Sequence, residues 1–175
     1  MKIIDKLKQN ASASRNGKKI SFLAKIKEDR LLKKIAPLIS NFMEMGTSFG
    51  YDFSGEENGF FSCLEKLVEE AKMSNDWSET TYTSNAMGAA YFFAFLIIDN
   101  FPNNFNFKEV PGCLPCLAYV GDTVTIDIKF NLTQTMYDIL KGKRDINKLY
   151  TIYNLCDALY NKNVNDETIG NYLEN

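Results

Sequence analysis

Ala86-Met-Gly-Ala-Ala-Tyr-Phe-Phe-Ala-Phe-Leu-Ile-Ile98 is the longest apolar run in the chain. Its thirteen residues fall short of the roughly 17–25 that a bilayer core requires. Apolar on every face, the run reads as a buried central helix over Ala86–Asp99. Ala86, Ala90 and Ala94 recur four apart, so one stripe of that helix is small and admits a neighbour closely.

Downstream the period changes from helical to alternating. Val124, Ile126, Ile128 and Phe130 alternate with Thr125, Asp127 and Lys129, the pattern of a strand with one buried face. Leu117–Val120 comes before it, and Gly121-Asp122 suits a two-residue type II′ turn, so a hairpin is expected. Phe105–Val110 is expected to add a third strand.

Upstream, Leu31, Ile35, Leu38, Ile39 and Phe42 predict a helix over Glu28–Met45. Pro37 lies inside it and should kink or split it, and Gly46 is a natural stop. Phe60, Leu64, Leu67, Val68 and Ala71 mark one face of the next helix, with Glu65, Lys66, Glu69, Glu70 and Lys72 opposite. Ser54-Gly-Glu-Glu57 before it has capping-box spacing. Gln134–Lys141 reads as a helix stopped by Gly142. Asp145 is placed to cap another, whose Ile146, Leu149, Tyr150, Tyr153 and Cys156 share a face. Short helices are expected at Ile3–Lys8 and after Asn165. The fold class is therefore α+β and mostly helical. It has about five to six helices and a small antiparallel β-hairpin or three-stranded meander around residues 105–130.

At 175 residues the chain suits one domain, with a globular body at 19–175 and a flexible basic arm at 1–18. Charge is unevenly spread. Residues 1–34 hold 11 Lys/Arg against 3 Asp/Glu, and residues 35–175 hold 9 against 19. A basic segment on an acidic body makes nucleic-acid contact through residues 2–34 one reading and a solvated arm another. No apolar stretch opens the chain as a secretory signal would. Four cysteines without a small-domain spacing fit free thiols in the cytoplasm.

The chain contains no histidine, which excludes imidazole as base, nucleophile or metal ligand. Cys113-Leu-Pro-Cys116 is the most motif-like string and resembles thioredoxin-like motifs. Those motifs open a helix, whereas a strand is expected after this one, and a closed zinc site would need Cys63 and Cys156 from distant helices. Asp127-Ile-Lys129 resembles the acid-x-Lys half of the restriction-endonuclease-like nucleases. That resemblance implies a Mg²⁺-dependent nuclease in which Asp127 holds the metal and Lys129 steadies the attacking water. The family's other acid has no counterpart on the preceding strand. Alternation alone also places Asp127 and Lys129 on a solvated face.

Trp77 stands in an acidic, polar stretch with Asp76, Glu79 and Tyr82 nearby, and Tyr51 and Phe53 have similar settings. Aromatic rings among acids suit contact with a basic protein surface, because rings anchor and acids steer. The expectation is a non-enzymatic protein-binding module of immunity-protein, antitoxin, inhibitor or chaperone type. Its partner surface would comprise Trp77, Asp76, Glu79, Tyr82, Tyr51 and Phe53, with no catalytic residue, metal, cofactor or membrane partner.

Overall fold

The computed structural model describes residues 30–50, 59–74, 76–101, 103–109, 111–120 and 129–161. Its elements are α1 (Arg30–Ser48), α2 (Gly59–Met73), α3 (Glu79–Asn100), β1 (Phe105–Lys108), β2 (Cys116–Tyr119), β3 (Lys129–Phe130), α4 (Leu132–Leu140) and α5 (Asn147–Tyr160). This is a mostly helical α+β fold with a small antiparallel sheet. The arm at 1–18, the capping box at Ser54–Glu57, the turn at Gly121-Asp122, and the terminal helices at Ile3–Lys8 and after Asn165 lie outside the described residues.

Helix α3 is the axis. A nearly unbroken run from Ala86 through Ile97 is buried, so neighbours cover it on every side. By length and composition α3 could cross a membrane, but 56% of its most apolar window is buried inside the fold. It begins at Glu79, well before the expected Ala86. Ser78 caps it, its Oγ accepting the Thr81 N–H at 3.1 Å. The threonines and serine of the first turns are poor helix formers. The cap and an acid at the positive helix end offset that weakness.

Helix α1 packs on α3 through Ile35, Ile39 and Phe42. It runs unbroken through Pro37, which corrects the expected split. Pro37 and Lys33 are both exposed, so the carbonyl left without a helical partner by the missing proline N–H faces water, while the buried face stays intact. The expected stop at Gly46 is also wrong, for Gly46 is buried within the helix. Termination waits for Gly50, at φ +82°.

The α1–α3 seam is tight at Gly88, which lies between the alanines of the stripe. A Cβ there would lie 3.0 Å from the Leu38 carbonyl oxygen and 3.1 Å from Phe42 Cβ. Helix α2 contributes Phe60, Cys63, Leu64, Leu67 and Ala71 to the core, on the face read from its spacing. Phe60 stacks on Phe92 and Phe93, with ring centroids 5.7 and 5.3 Å apart.

The sheet has the order β1-β2-β3, antiparallel throughout. Phe105 pairs with Tyr119 and Lys108 with Cys116. A two-residue turn at Gly121-Asp122 would set Ala118 opposite Thr125. Ala118 instead lies opposite Lys129, and Leu117 opposite Phe130, so the tight-hairpin register is corrected by four positions. The offset is even and keeps the alternation of faces, which is why side-chain periodicity could not reveal it.

Helix α4 makes the most extensive packing with α3. Asn131 caps it, accepting the Gln134 N–H at 3.2 Å, and Gly142 at φ +68° ends it. Asp145 accepts the Asn147 N–H at 2.7 Å at the start of α5. The buried face of α5 is Leu149, Ile152, Leu155, Cys156 and Leu159. It is rotated from the expected one: Ile146 and Tyr153 are half-buried and Tyr150 is exposed.

Candidate functional site

The α2–α3 corner gathers three of the six aromatic and acidic residues singled out from the sequence. Trp77 is half-buried and packs on the core, with its ring set edge-on to Tyr82 at 5.1 Å. Tyr82 donates from its hydroxyl to the Ala71 carbonyl at 3.3 Å, tying the first turn of α3 to the end of α2. Glu79 joins them on α3 and is 71% exposed. Asp76 is exposed beside Trp77. Tyr51 and Phe53 lie outside the described residues.

Tyr137 of α4 and Lys141, the C-cap of that helix, were missed by sequence reasoning and complete the cluster. Lys141 Nζ donates to Glu79 Oε1 at 2.6 Å and sits 3.8 Å from the Tyr82 ring centroid. Tyr137 donates from its hydroxyl to Glu79 Oε2. Tyr137 and Lys141 are four residues apart and share a helix face, so their adjacency was legible. Their pairing across the fold with Glu79 was not. Met73, the last residue of α2, was also missed; it is 73% exposed.

Glu79, Tyr137 and Lys141 each have an ionisation shifted further from neutral pH. The Lys141 ammonium, and then the Tyr137 hydroxyl, keep the Glu79 carboxyl below the usual carboxylate range. The hydrogen bond to Glu79 pushes the Tyr137 phenol up, and it does the same for Lys141. A general acid or base works best with a pKa near the operating pH. This cluster instead holds one anion and one cation charged around neutral pH, as a clamp between α3 and the end of α4.

The acidic excess is less evident in the described part of the body. From residue 35 onward the described residues carry eight Lys/Arg against eleven Asp/Glu, and the remaining eight acids and one lysine lie outside them. Among the described residues no three His, Cys, Asp or Glu side chains gather as a metal site would require. Asp127 is outside the described residues. Lys129 is placed by its backbone alone, opposite Ala118 on the short β3.

All four cysteines are free. Cys63 and Cys156 are fully buried, and desolvation pushes the Cys63 thiol up to about 11 and Cys156 higher still. Cys113 is exposed and Cys116 half-buried.

No family model, curated protein sequence or solved structure matches this chain.

Proposed function

We propose that the protein is a non-enzymatic binding module that docks a protein with a basic surface through the α2–α3 corner. Met73 carries the reading: a large apolar side chain, 73% exposed, stands at the end of α2, shortly before an exposed acid, Asp76, and a half-buried tryptophan in the chain. Trp77 is braced by Tyr82, and Tyr82 by Ala71 and Lys141. A ring held in place before binding loses little entropy on docking, which is what an interface anchor needs. The −10 balance of residues 35–175 complements a basic partner and speeds encounter with it. In this reading the protein works in the cytoplasm as an immunity-protein, antitoxin, inhibitor or chaperone type of module.

The test begins with affinity capture of a partner from the source cell and continues with the purified pair. Met73→Glu and Asp76→Lys should each weaken the reconstituted complex at least tenfold, while deletion of residues 1–18 leaves it intact. Loss of binding on that deletion, with both corner variants silent, would sink the proposal. So would tight binding of a random DNA or RNA duplex near physiological salt that depends on the basic segment. Such binding should fall steeply with salt, because each neutralised phosphate releases counterions.

A further inference from the structure

The loop between β1 and β2 and the first residue of β2 hold the two thiols that the core leaves accessible. Gly112, at φ +74°, supplies the left-handed backbone that turns the chain just before Cys113. Cys116 opens β2 opposite Lys108, and its thiol donates to the Lys108 carbonyl at 3.7 Å. Between them Pro115 is buried, and its carbonyl accepts the Tyr91 hydroxyl of α3 at 2.7 Å. The stretch joining the two sulfurs is thus pinned to the central helix, with Cys113 left facing solvent. Beneath it lies a cleft of about 380 Å³ with Ala90, Ala94, Leu117 and Leu132 in its wall.

We propose that Cys113 and Cys116 form a redox-reversible dithiol, oxidised by low-molecular-weight disulfides of the glutathione type. This modification site is independent of the docking corner. Two intervening residues keep the Cα atoms within about 10 Å even at full extension. A local bend therefore suffices to reach the roughly 5.5 Å a disulfide requires.

Exposure sets the order of events, since exchange requires access to the attacking sulfur. The Cys113 sulfur attacks the small disulfide, forms a mixed disulfide and releases one small thiolate. The Cys116 sulfur then attacks Cys113 Sγ, closes the internal bond and releases the second. Two electrons pass from the protein dithiol to the small disulfide. The two cysteine protons are balanced by those taken up by the two released thiolates. The closed bridge encloses Leu114 and Pro115, which also line the cleft, so oxidation stiffens its rim. Cys63 and Cys156 stay out of the exchange because the core covers both.

The full reduced chain, incubated natively with oxidised glutathione and mapped by mass spectrometry, tests this. The expected product has lost two hydrogens, carries a Cys113–Cys116 link and reverts with dithiothreitol. Cys63 and Cys156 should be alkylated only after denaturation. Cys116→Ser should stop at a glutathione adduct on Cys113, and Cys113→Ser should form no bridge. A wild-type protein that also stops at the adduct, fails to react or purifies with stoichiometric zinc on the pair would overturn the proposal.

Discussion

The middle and the first turn of α3 meet their neighbours by opposite means. Around Gly88 the helix meets α1 through apolar contact so close that even a methyl there would press on Leu38 and Phe42. Phe42 lies 5.3 Å from Phe92 nearby. At its first turn the same helix meets α4 through an exposed carboxylate, a phenol and an ammonium. Burial stabilises the first contact and depends on shape, because a packed interior yields little to added volume. Charge stabilises the second, in a setting where water and salt screen most of the gain. Rigidity should therefore reside in the seam, and tolerance to substitution in the corner. That division suits a partner surface carried on a fixed scaffold.

The largest effect is expected at Gly88. A glycine inside a helix costs about 1 kcal/mol relative to alanine, so its presence here marks the demand of packing. Gly88→Ala regains that propensity but presses a methyl on Leu38 and Phe42, and should land within about 1 kcal/mol of wild type. Gly88→Leu adds volume that the seam cannot absorb and should cost about 3 kcal/mol. Denaturant midpoints followed by circular dichroism would measure both. A leucine variant as stable as wild type would mean that the α1–α3 seam is loose and that close packing does not make it rigid.

A middle-sized effect belongs to Ser78, which caps the polar end of α3. Ser78→Ala leaves the Thr81 N–H without its side-chain acceptor and should cost about 1 kcal/mol. The loss should appear in hydrogen exchange as faster opening of residues 79–84, with the Ala86–Ile97 amides unaffected. Uniform acceleration along α3 would show that the polar end and the buried end open as one unit.

The same contrast explains what the sequence made legible. The apolar run at Ala86–Ile98 and the one-sided face of α2 could be read because burial imposes periodicity on neighbouring residues. The true start of α3 was masked by Thr80, Thr81, Thr83 and Ser84, which resemble a loop in composition, although Ser78 followed by Glu79 is a helix-start signal. Gly88 looked like one more small residue in an alanine-rich run. Only the position of α1 reveals it as a point of close approach. The β2–β3 register escaped because a four-residue shift leaves alternation untouched. At the corner, Trp77, Glu79 and Tyr82 were legible as a group. Lys141 was not, because it comes from a separate helix and no local pattern encodes that pairing.

The smallest effect, and the one that sharpens the electrostatic half of the comparison, is the pH dependence of the Glu79–Tyr137–Lys141 clamp. The Glu79 carboxyl is depressed in the folded state. Its contribution is therefore present above the ordinary carboxylate value of about 4.3 and is lost as pH falls through the lower folded value. Tyr137 and Lys141 are raised. Their contributions are complete below about 10 and are lost as pH rises through the folded values above it. Wild type should therefore exceed Glu79→Gln in stability on a plateau from about pH 5 to 9. The gap should close in acid below about pH 4 and narrow in base above about pH 10. Glutamine retains an acceptor for Tyr137 and removes only the charge, so the difference isolates the ionic part. Because Glu79 is largely exposed, that gap should also shrink as salt is raised from 0.01 to 1 M, where the screening length falls from about 30 to about 3 Å. Paired urea titrations across pH and salt would measure it. A gap that stays constant from pH 7 to pH 2, or that ignores salt, would assign the clamp to packing of Tyr137 and Lys141 against Tyr82 instead of to charge.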